Sequence, residues 1–406
     1  MVRQRKKPGR PRKPRPTDKD IRGGKFIRRI VERLRPLHWH QDCPNRRLHY
    51  DEYVAYLLLY FFTPVITSMR GLQQASDLPG LQRKLGLPRF SLGSFSEAAD
   101  VFDPERLVPI IGELRDRLSP LAADDPLAGM DLDLTAVDGT LIHAMPKMVW
   151  ALWLDEPHRA AKVHLQFDLL KSAPVAATVT EGNGNERTVL AGSLAAGKLY
   201  VLDRGYADYS LANGILEARS SFVLRLHTNA TYDVVEERPI TPEAADAKVT
   251  KDLIVTLGGR NTPALHGRRI RLVELHVPDT GPRPTRRVSS KKTFRTASTE
   301  QTILLATDHL DLPAELIALI YRYRWQIELF FRWFKKVLNA DRLLSLSPNG
   351  LTLVTYCALI ASLLLVLWTG RKPTKRTYEL FCFYLTGWAD EHDILAHLRT
   401  LAKTDR

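Results

Sequence analysis

The segment IYRYRWQIELFFRWFKK constrains this chain more than any other, because it sets Tyr321, Arg324, Glu328 and Lys335 at offsets of 0, 3, 7 and 14. At about 100° per residue, these four side chains fall within roughly 60° of one another on a helix. Ile327, Phe330, Phe334 and Leu338 gather on an adjoining face roughly 110° away. One helix would thus carry a hydroxyl, a guanidinium, a carboxylate and an ammonium in file beside a buried apolar stripe. A lone acid among cations suits a place where a metal ion and a phosphate meet. The same pattern also fits a solvated amphipathic helix laced with i,i+4 ion pairs such as Arg324–Glu328.

Two upstream segments end an apolar strand on an aspartate. In LDLTAVDGTLI, Leu132, Leu134, Ala136 and Asp138 alternate with Asp133, Thr135 and Val137, and Gly139 is expected to break the run. In KLYVLDRGYADY, Leu199 to Leu202 lead directly into Asp203, Arg204 and Gly205, as in a buried strand closed by glycine. Carboxylates at neighbouring strand ends can hold a divalent metal in the crevice of an α/β sheet. Read singly, each aspartate is equally an ordinary turn starter.

VDGT, LDRGY and the Tyr-x2-Arg-x3-Glu-x6-Lys string together resemble the bacterial DDE transposases of the IS-four insertion-sequence family. The last string matches that family's YREK signature at every spacing. AKVHLQFDL, the run LATDHLDLPAELIALIYRYRWQIELFF and SPNGL add to the likeness, which covers roughly residues 90 to 370. The resemblance implies an α/β fold: an RNase H-like mixed-sheet catalytic core with an inserted β-domain and an N-terminal helical domain. It implies catalytic and metal-holding roles for Asp138, Asp203 and Glu328. Three oxygen donors of this kind can hold two Mg²⁺ ions, for which Mn²⁺ can substitute. Water would nick the transposon end and the freed 3′-hydroxyl would attack target DNA, with a hairpin intermediate expected. Tyr321, Arg324 and Lys335 become DNA ligands beside Glu328. Trp325 either stacks on a flipped base or packs in the core.

The expected domains are a basic arm over 1–20, a helical DNA-binding and assembly domain over 21–125, a catalytic core over 126–220 and 308–370, a β-rich insertion over 221–307, and a helical tail over 371–406. The helical domain is read from Ile27, Ile30, Val31 and Leu34, from YVAYLLLYFF, and from a capping box at Ser94 and Glu97. The insertion explains why far more chain separates Asp203 from Glu328 than one strand-to-helix connection needs. Its basic run Arg283 to Arg295 is either a backbone-tracking surface or a solubilising loop. The first sixteen residues hold eight Lys/Arg, four Pro and no acid. Arg10 and Arg12, around the Gly9-Arg10-Pro11 core, are DNA-binding candidates, either as an AT-hook or as a plain basic tail.

At 406 residues, 44% hydrophobic and 26% charged, the chain is a multidomain globular protein. Its formal net charge of +14 favours a polyanionic partner. Double-stranded DNA is expected, as terminal inverted repeats and as target, with a homodimer in the synaptic complex. No membrane partner is expected: the apolar run from Leu351 to Trp368 is interrupted by Thr352, Thr355, Tyr356 and Ser362 and reads as core. The basic N-terminus has no following apolar region. Cys43, Cys357 and Cys382 fit a reducing cytoplasm, with association to the nucleoid. His38, His40 and Cys43 lack a second ligand pair for zinc. Two other classes share these features: a silent DNA-binding repressor derived from a transposase, and a metal-dependent nuclease that cuts without joining. An RNA-binding protein is more distant, since no RNA-recognition motif is present.

Overall fold

The computed structural model describes residues 30–39, 46–121, 126–127, 133–145, 147–151, 153, 159–258, 265, 267–278, 300–342 and 344–404. The basic arm with Arg10 and Arg12, the run Arg283 to Arg295, His40 and Cys43 lie outside the described residues. The chain divides into two compact units, Met1–Ile111 with Phe334–Arg406, and Gly112–Trp333.

The helices before the last strand are α1 (Tyr50–Phe62), α2 (Met69–Ser76), α3 (Pro79–Leu85), α4 (Leu92–Val101), α5 (Val108–Asp116), α6 (Glu186–Ala191), α7 (Tyr209–Glu217) and α8 (Pro242–Asp246). Those after it are α9 (Ala314–Tyr323), α10 (Trp325–Lys336), α11 (Pro348–Thr369), α12 (Lys375–Thr386) and α13 (Glu391–Thr404). The strands are β1 (Asp133–His143), β2 (Ala160–Asp168), β3 (Ala173–Glu181), β4 (Lys198–Leu202) and β5 (Ser221–Leu226). They continue with β6 (Tyr232–Glu237), β7 (Val249–Leu257), β8 (Ile270–Pro278) and β9 (Glu300–Thr307).

The first unit is helical and built around two apolar helices. Every residue of α1 is buried, including Asp51 and Glu52. Glu52 is tolerated because it caps its own helix, accepting the His49 N–H at 2.8 Å, while Asp51 meets His38 Nδ1 at 2.8 Å. Helix α11 is long and apolar enough to cross a membrane, yet 89% of its most apolar window is buried. Its Thr352 and Ser362 hydroxyls donate to Pro348 and Ala358 carbonyls one turn earlier, at 2.9 and 2.8 Å, which is how a core helix carries them. The SPNGL motif builds the start of α11. Ser347 caps Gly350 N–H at 3.1 Å, and Asn349 donates to the carbonyls of Ala99 and Phe102 at 2.8 and 2.7 Å. A Cβ on Gly350 would stand 2.8 Å from that of Ala99, so glycine lets α11 approach α4. The cap of α4 is Ser91, which accepts Ser94 N–H at 3.0 Å. The capping box expected at Ser94 therefore lies three residues too late: the helix already begins at Leu92.

The second unit holds one nine-stranded mixed sheet in the order β3-β2-β1-β4-β5-β9-β8-β7-β6. Strands β1, β4 and β5 run parallel and the remaining pairings are antiparallel. Both faces of β1 are covered. Val137 joins Leu190, Tyr206 and Leu211 in one core cluster. Ala136 points the other way with its cross-strand partner Phe167, whose ring lies 5.1 Å from that of Phe330 on α10. Ser221–Leu226, assigned from sequence to the insertion, pairs in parallel with β4 as the next strand of the core. Strands β9, β8, β7 and β6 then prolong the same sheet.

A buried ion pair secures that extension to the segment that leads into α9. Arg271 on β8 donates to Asp252 on β7 at 2.8 and 2.6 Å, and also to the carbonyls of Leu310 and Leu312. Both side chains are 5% exposed, and every charge is met by a directed partner, the condition under which such a pair is tolerated.

Candidate active site

The sheet brings two of the predicted acids together before any side chain is considered. β1 and β4 are adjacent and parallel, with Val137 beside Leu202. The next step of that register is Asp138 and Asp203. Asp138 lies inside β1, opposite Leu165, and the strand continues through Gly139 to His143. The expected break at Gly139 does not occur, so Asp138 is a strand residue and not a turn starter. Gly139 has a steric reason instead: a Cβ there would stand 2.7 Å from Glu186 Oε1. Asp203 follows β4 directly and precedes a short 3-10 turn, Arg204–Tyr206.

The third acid arrives on a helix that is not continuous. α9 ends at Tyr323 and α10 starts at Trp325, with Arg324 between them. Arg324 N–H bonds to Tyr321 carbonyl and Ile327 N–H to Arg324 carbonyl, each at 3.1 Å and each closing a three-residue step. The single helix expected from sequence is thus tightened at this point. Arg324 is 8% exposed, and its guanidinium donates to Glu328 Oε1 at 2.6 Å. Its Nε–H is buried without a partner.

The remaining contacts gather around Asp203. Tyr321 donates its hydroxyl to Asp203 Oδ1 at 3.1 Å, and Arg225 Nη1 stands 3.7 Å from the same oxygen. Burial pushes the Asp203 carboxyl up, but the charges of Arg324 and Arg225, the Arg204 N–H and the Tyr321 hydroxyl outweigh it and hold it below the usual range. Asp138 shows the opposite balance. Burial dominates and lifts it to about 6, with the Gly139 N–H at 2.8 Å and the charge of Arg324 only partly compensating, and with Glu186 and Glu328 adding to the rise. Arg324 itself is favoured as the cation by Tyr321, Asp203 and Glu328, against its own burial.

A family model described as Transposase DDE domain matches residues 129–364. The chain belongs to this DDE transposase family. The match runs from just before β1 into α11 and contains all three acids. "Putative transposase y4zB" of Sinorhizobium fredii is 31% identical over 212 residues, 51% of this chain and 53% of the relative. The chain thus matches about half the length of that protein. "Probable transposase for insertion sequence element IS5377" of Geobacillus stearothermophilus is 23% identical over 328 residues, 79% of this chain and 78% of the relative. A cryo-EM structure of a piggyBac transposase synaptic complex with hairpin DNA aligns with TM-score 0.38 and 10% identity, covering 91% of this chain and 77% of that one.

The large mixed sheet fits an RNase H-like transposase core. The donor set also fits the divalent metal that a DDE domain generally uses. Asp138 is a partly buried carboxylate with no ion-pair partner among the described residues, a charge that a cation would compensate. Among the described residues, the trios of His, Asp or Glu whose ligand atoms lie within 4.8 Å of one another are His38–Asp51–Glu52 and Asp390–His392–Asp393. Asp138, Asp203 and Glu328 stand wider apart than that, and Arg324 is a cation that acts on all of them.

Several residues here escaped sequence reading. Arg225 had a weak signal, as the charge in the otherwise apolar FVLRL of β5. Tyr206 had one, as the closing residue of the LDRGY motif, and Glu186 had none. Trp325 is 51% exposed, so the core role left open for it does not apply. Lys335 falls on α10 beyond the division between the units, half-buried, with burial lowering its ammonium below the usual lysine range.

Proposed function

We propose that this chain is a DNA transposase of the IS-four type that performs cut-and-paste transposition of an insertion sequence. The observation that carries the reading is that Asp138, Asp203 and Glu328, from three distant stretches of sequence, share one buried guanidinium, that of Arg324. Asp138, Asp203 and Glu328 are the residues that would hold two Mg²⁺ ions. When bound, such ions activate the attacking oxygen and stabilise the leaving one at phosphorus.

The chain's own groups then position DNA. Arg324, beside Glu328, would meet a phosphate oxygen near the scissile bond. Arg225 and Tyr321 support Asp203, and Tyr321 and Lys335 complete the YREK set of DNA ligands. Trp325, exposed at the start of α10, is available to stack on a base drawn from the terminal duplex. The partners are the terminal inverted repeats and target DNA, joined by a homodimer in the synaptic complex, with excision through a hairpin. Strands β6 to β9 serve as the insertion, the helical unit as the assembly domain and the arm with Arg10 and Arg12 as a backbone or minor-groove contact. The place of action is the cytoplasm, at the nucleoid.

The test is cleavage of duplex carrying the element's own ends, wild type beside Asp138→Ala, in Mg²⁺ or EDTA. Metal-dependent 3′-end nicking followed by hairpin or joined products, lost in the variant, is the expected result. Specific end binding without product in any metal would leave a silent repressor, and nicking without joining would leave a nuclease.

A further inference from the structure

A further carboxylate stands between the strand that carries Asp138 and the turn that follows Asp203. Glu186 Oε1 lies 2.7 Å from where a Cβ on Gly139 would be, and its Oε2 lies 3.8 Å from the same point on Gly205. One side chain therefore faces the residue after Asp138 and the residue two after Asp203. Its position is fixed from several sides. Asn185 caps the Arg187 and Thr188 N–H groups, and Arg187 Nε donates to the Gly205 carbonyl at 3.0 Å. Lys162 Nζ sits 3.3 Å from Glu186 Oε1 and donates to the Gly184 carbonyl at 3.1 Å.

Tyr206 is the independent observation. It is 1% exposed, follows Asp203 by one short turn, and its hydroxyl has no hydrogen-bond partner. Burial, and then the charges of Glu186, Asp138 and Asp203 in that order, raise its phenol far above the ordinary range, so it keeps its proton. A buried hydroxyl bonded to nothing is costly unless something bridges it to a partner.

We propose that Glu186 and Tyr206 are positioning residues that hold the water shell of a divalent ion bound by Asp138 and Asp203. In that arrangement Glu186 would accept from a water of the shell, and the Tyr206 hydroxyl would hydrogen-bond to another while keeping its proton. Magnesium retains several waters when it binds to one or two carboxylates, and outer partners of this kind set the orientation of the inner ones. Lys162 keeps Glu186 in place, and the glycine at 139 leaves it room.

This inference rests on the reading of Asp138 and Asp203 as metal ligands, and one experiment separates the two. Mn²⁺ binding to the full chain is followed by loss of the free-ion EPR signal, with thermal melts in EDTA as the check on folding. Glu186→Gln is expected to weaken Mn²⁺ binding about 10- to 100-fold with an unchanged melt, and Tyr206→Phe to weaken it by up to about tenfold. Wild-type Mn²⁺ affinity in a folded Glu186→Gln or Tyr206→Phe would overturn the inference. Asp138→Asn is the control on the underlying reading. If it abolishes binding while Glu186→Gln and Tyr206→Phe do not, only the outer shell is refuted. If it binds Mn²⁺ like the wild type, the metal centre itself is misplaced.

Discussion

Asp138 and Asp203 sit on neighbouring parallel strands, one register step apart, yet their surroundings are opposite. Asp203 is met by a tyrosine hydroxyl at 3.1 Å and an arginine at 3.7 Å, and it is held below the usual carboxylate range. Asp138 has a single backbone N–H at 2.8 Å and is pushed up to about 6 by burial. Half of the centre is therefore neutralised by the protein itself, and the other half carries a charge the fold compensates only in part. On the proposed reading the site takes up a cation, and this asymmetry suits it. If both acids were paired the ion would have to displace protein cations, and if neither were, the metal-free fold would bear the full repulsion.

The largest effect is expected where the two halves share a partner. Arg324 acts on Asp138, Asp203 and Glu328 together, and it is the buried member of a 2.6 Å pair. Arg324→Leu should cost about 3 kcal/mol of unfolding free energy at pH 7 in EDTA, because acids are left without their cation. The loss should shrink as pH falls through the carboxylate range and the acids take up protons. Urea denaturation at pH 7 and pH 4 measures it. A pH-independent loss would make Arg324 a packing residue.

The next effect should have opposite signs on the two strands. For Asp138, the raised folded value means that ionisation opposes folding. That penalty is absent below the ordinary carboxylate value of 3.8 and complete above about 6. Asp138→Asn should therefore stabilise the metal-free protein at pH 7 by up to about 3 kcal/mol, and by almost nothing at pH 4. Asp203 is depressed, so its contribution is present above the ordinary value and lost as pH falls below it. Asp203→Asn should destabilise at pH 7. Melts of both variants in EDTA across that range decide the matter, and equal signs would end the contrast.

How much of this could be read beforehand follows from where each interaction is encoded. The strands around Asp138 and Asp203 were legible because alternation and a short apolar run are local signals. The Tyr321–Glu328 string was legible because helical spacing is local too. The break at Arg324 was not, since it depends on a guanidinium turning into a site built by strands far away in the chain. Gly139 was misread as a turn for the same reason: what excludes its side chain is Glu186, and no spacing links the two. The strand Ser221–Leu226 was assigned to the insertion because it opens a strand-rich stretch. Its place is set by pairing with β4, which only the folded sheet determines.

The smallest effect removes one hydroxyl, shared between Asp203 and Arg225, on the compensated side. Tyr321 donates a single hydrogen bond to Asp203 Oδ1, and Phe preserves its ring and its burial. A hydrogen bond to a charged acceptor contributes about 1.5 kcal/mol net, less than the shared cation. Tyr321→Phe should thus lower stability by about that amount at pH 7, and by less once the pH is low enough to protonate Asp203. It should leave the Asp138→Asn gain unchanged, because Tyr321 has no part in what lifts Asp138. The double variant measures this directly: additive melts keep the two acids independent except through Arg324, whereas a gain that disappears in the Tyr321→Phe background would join them into one coupled site.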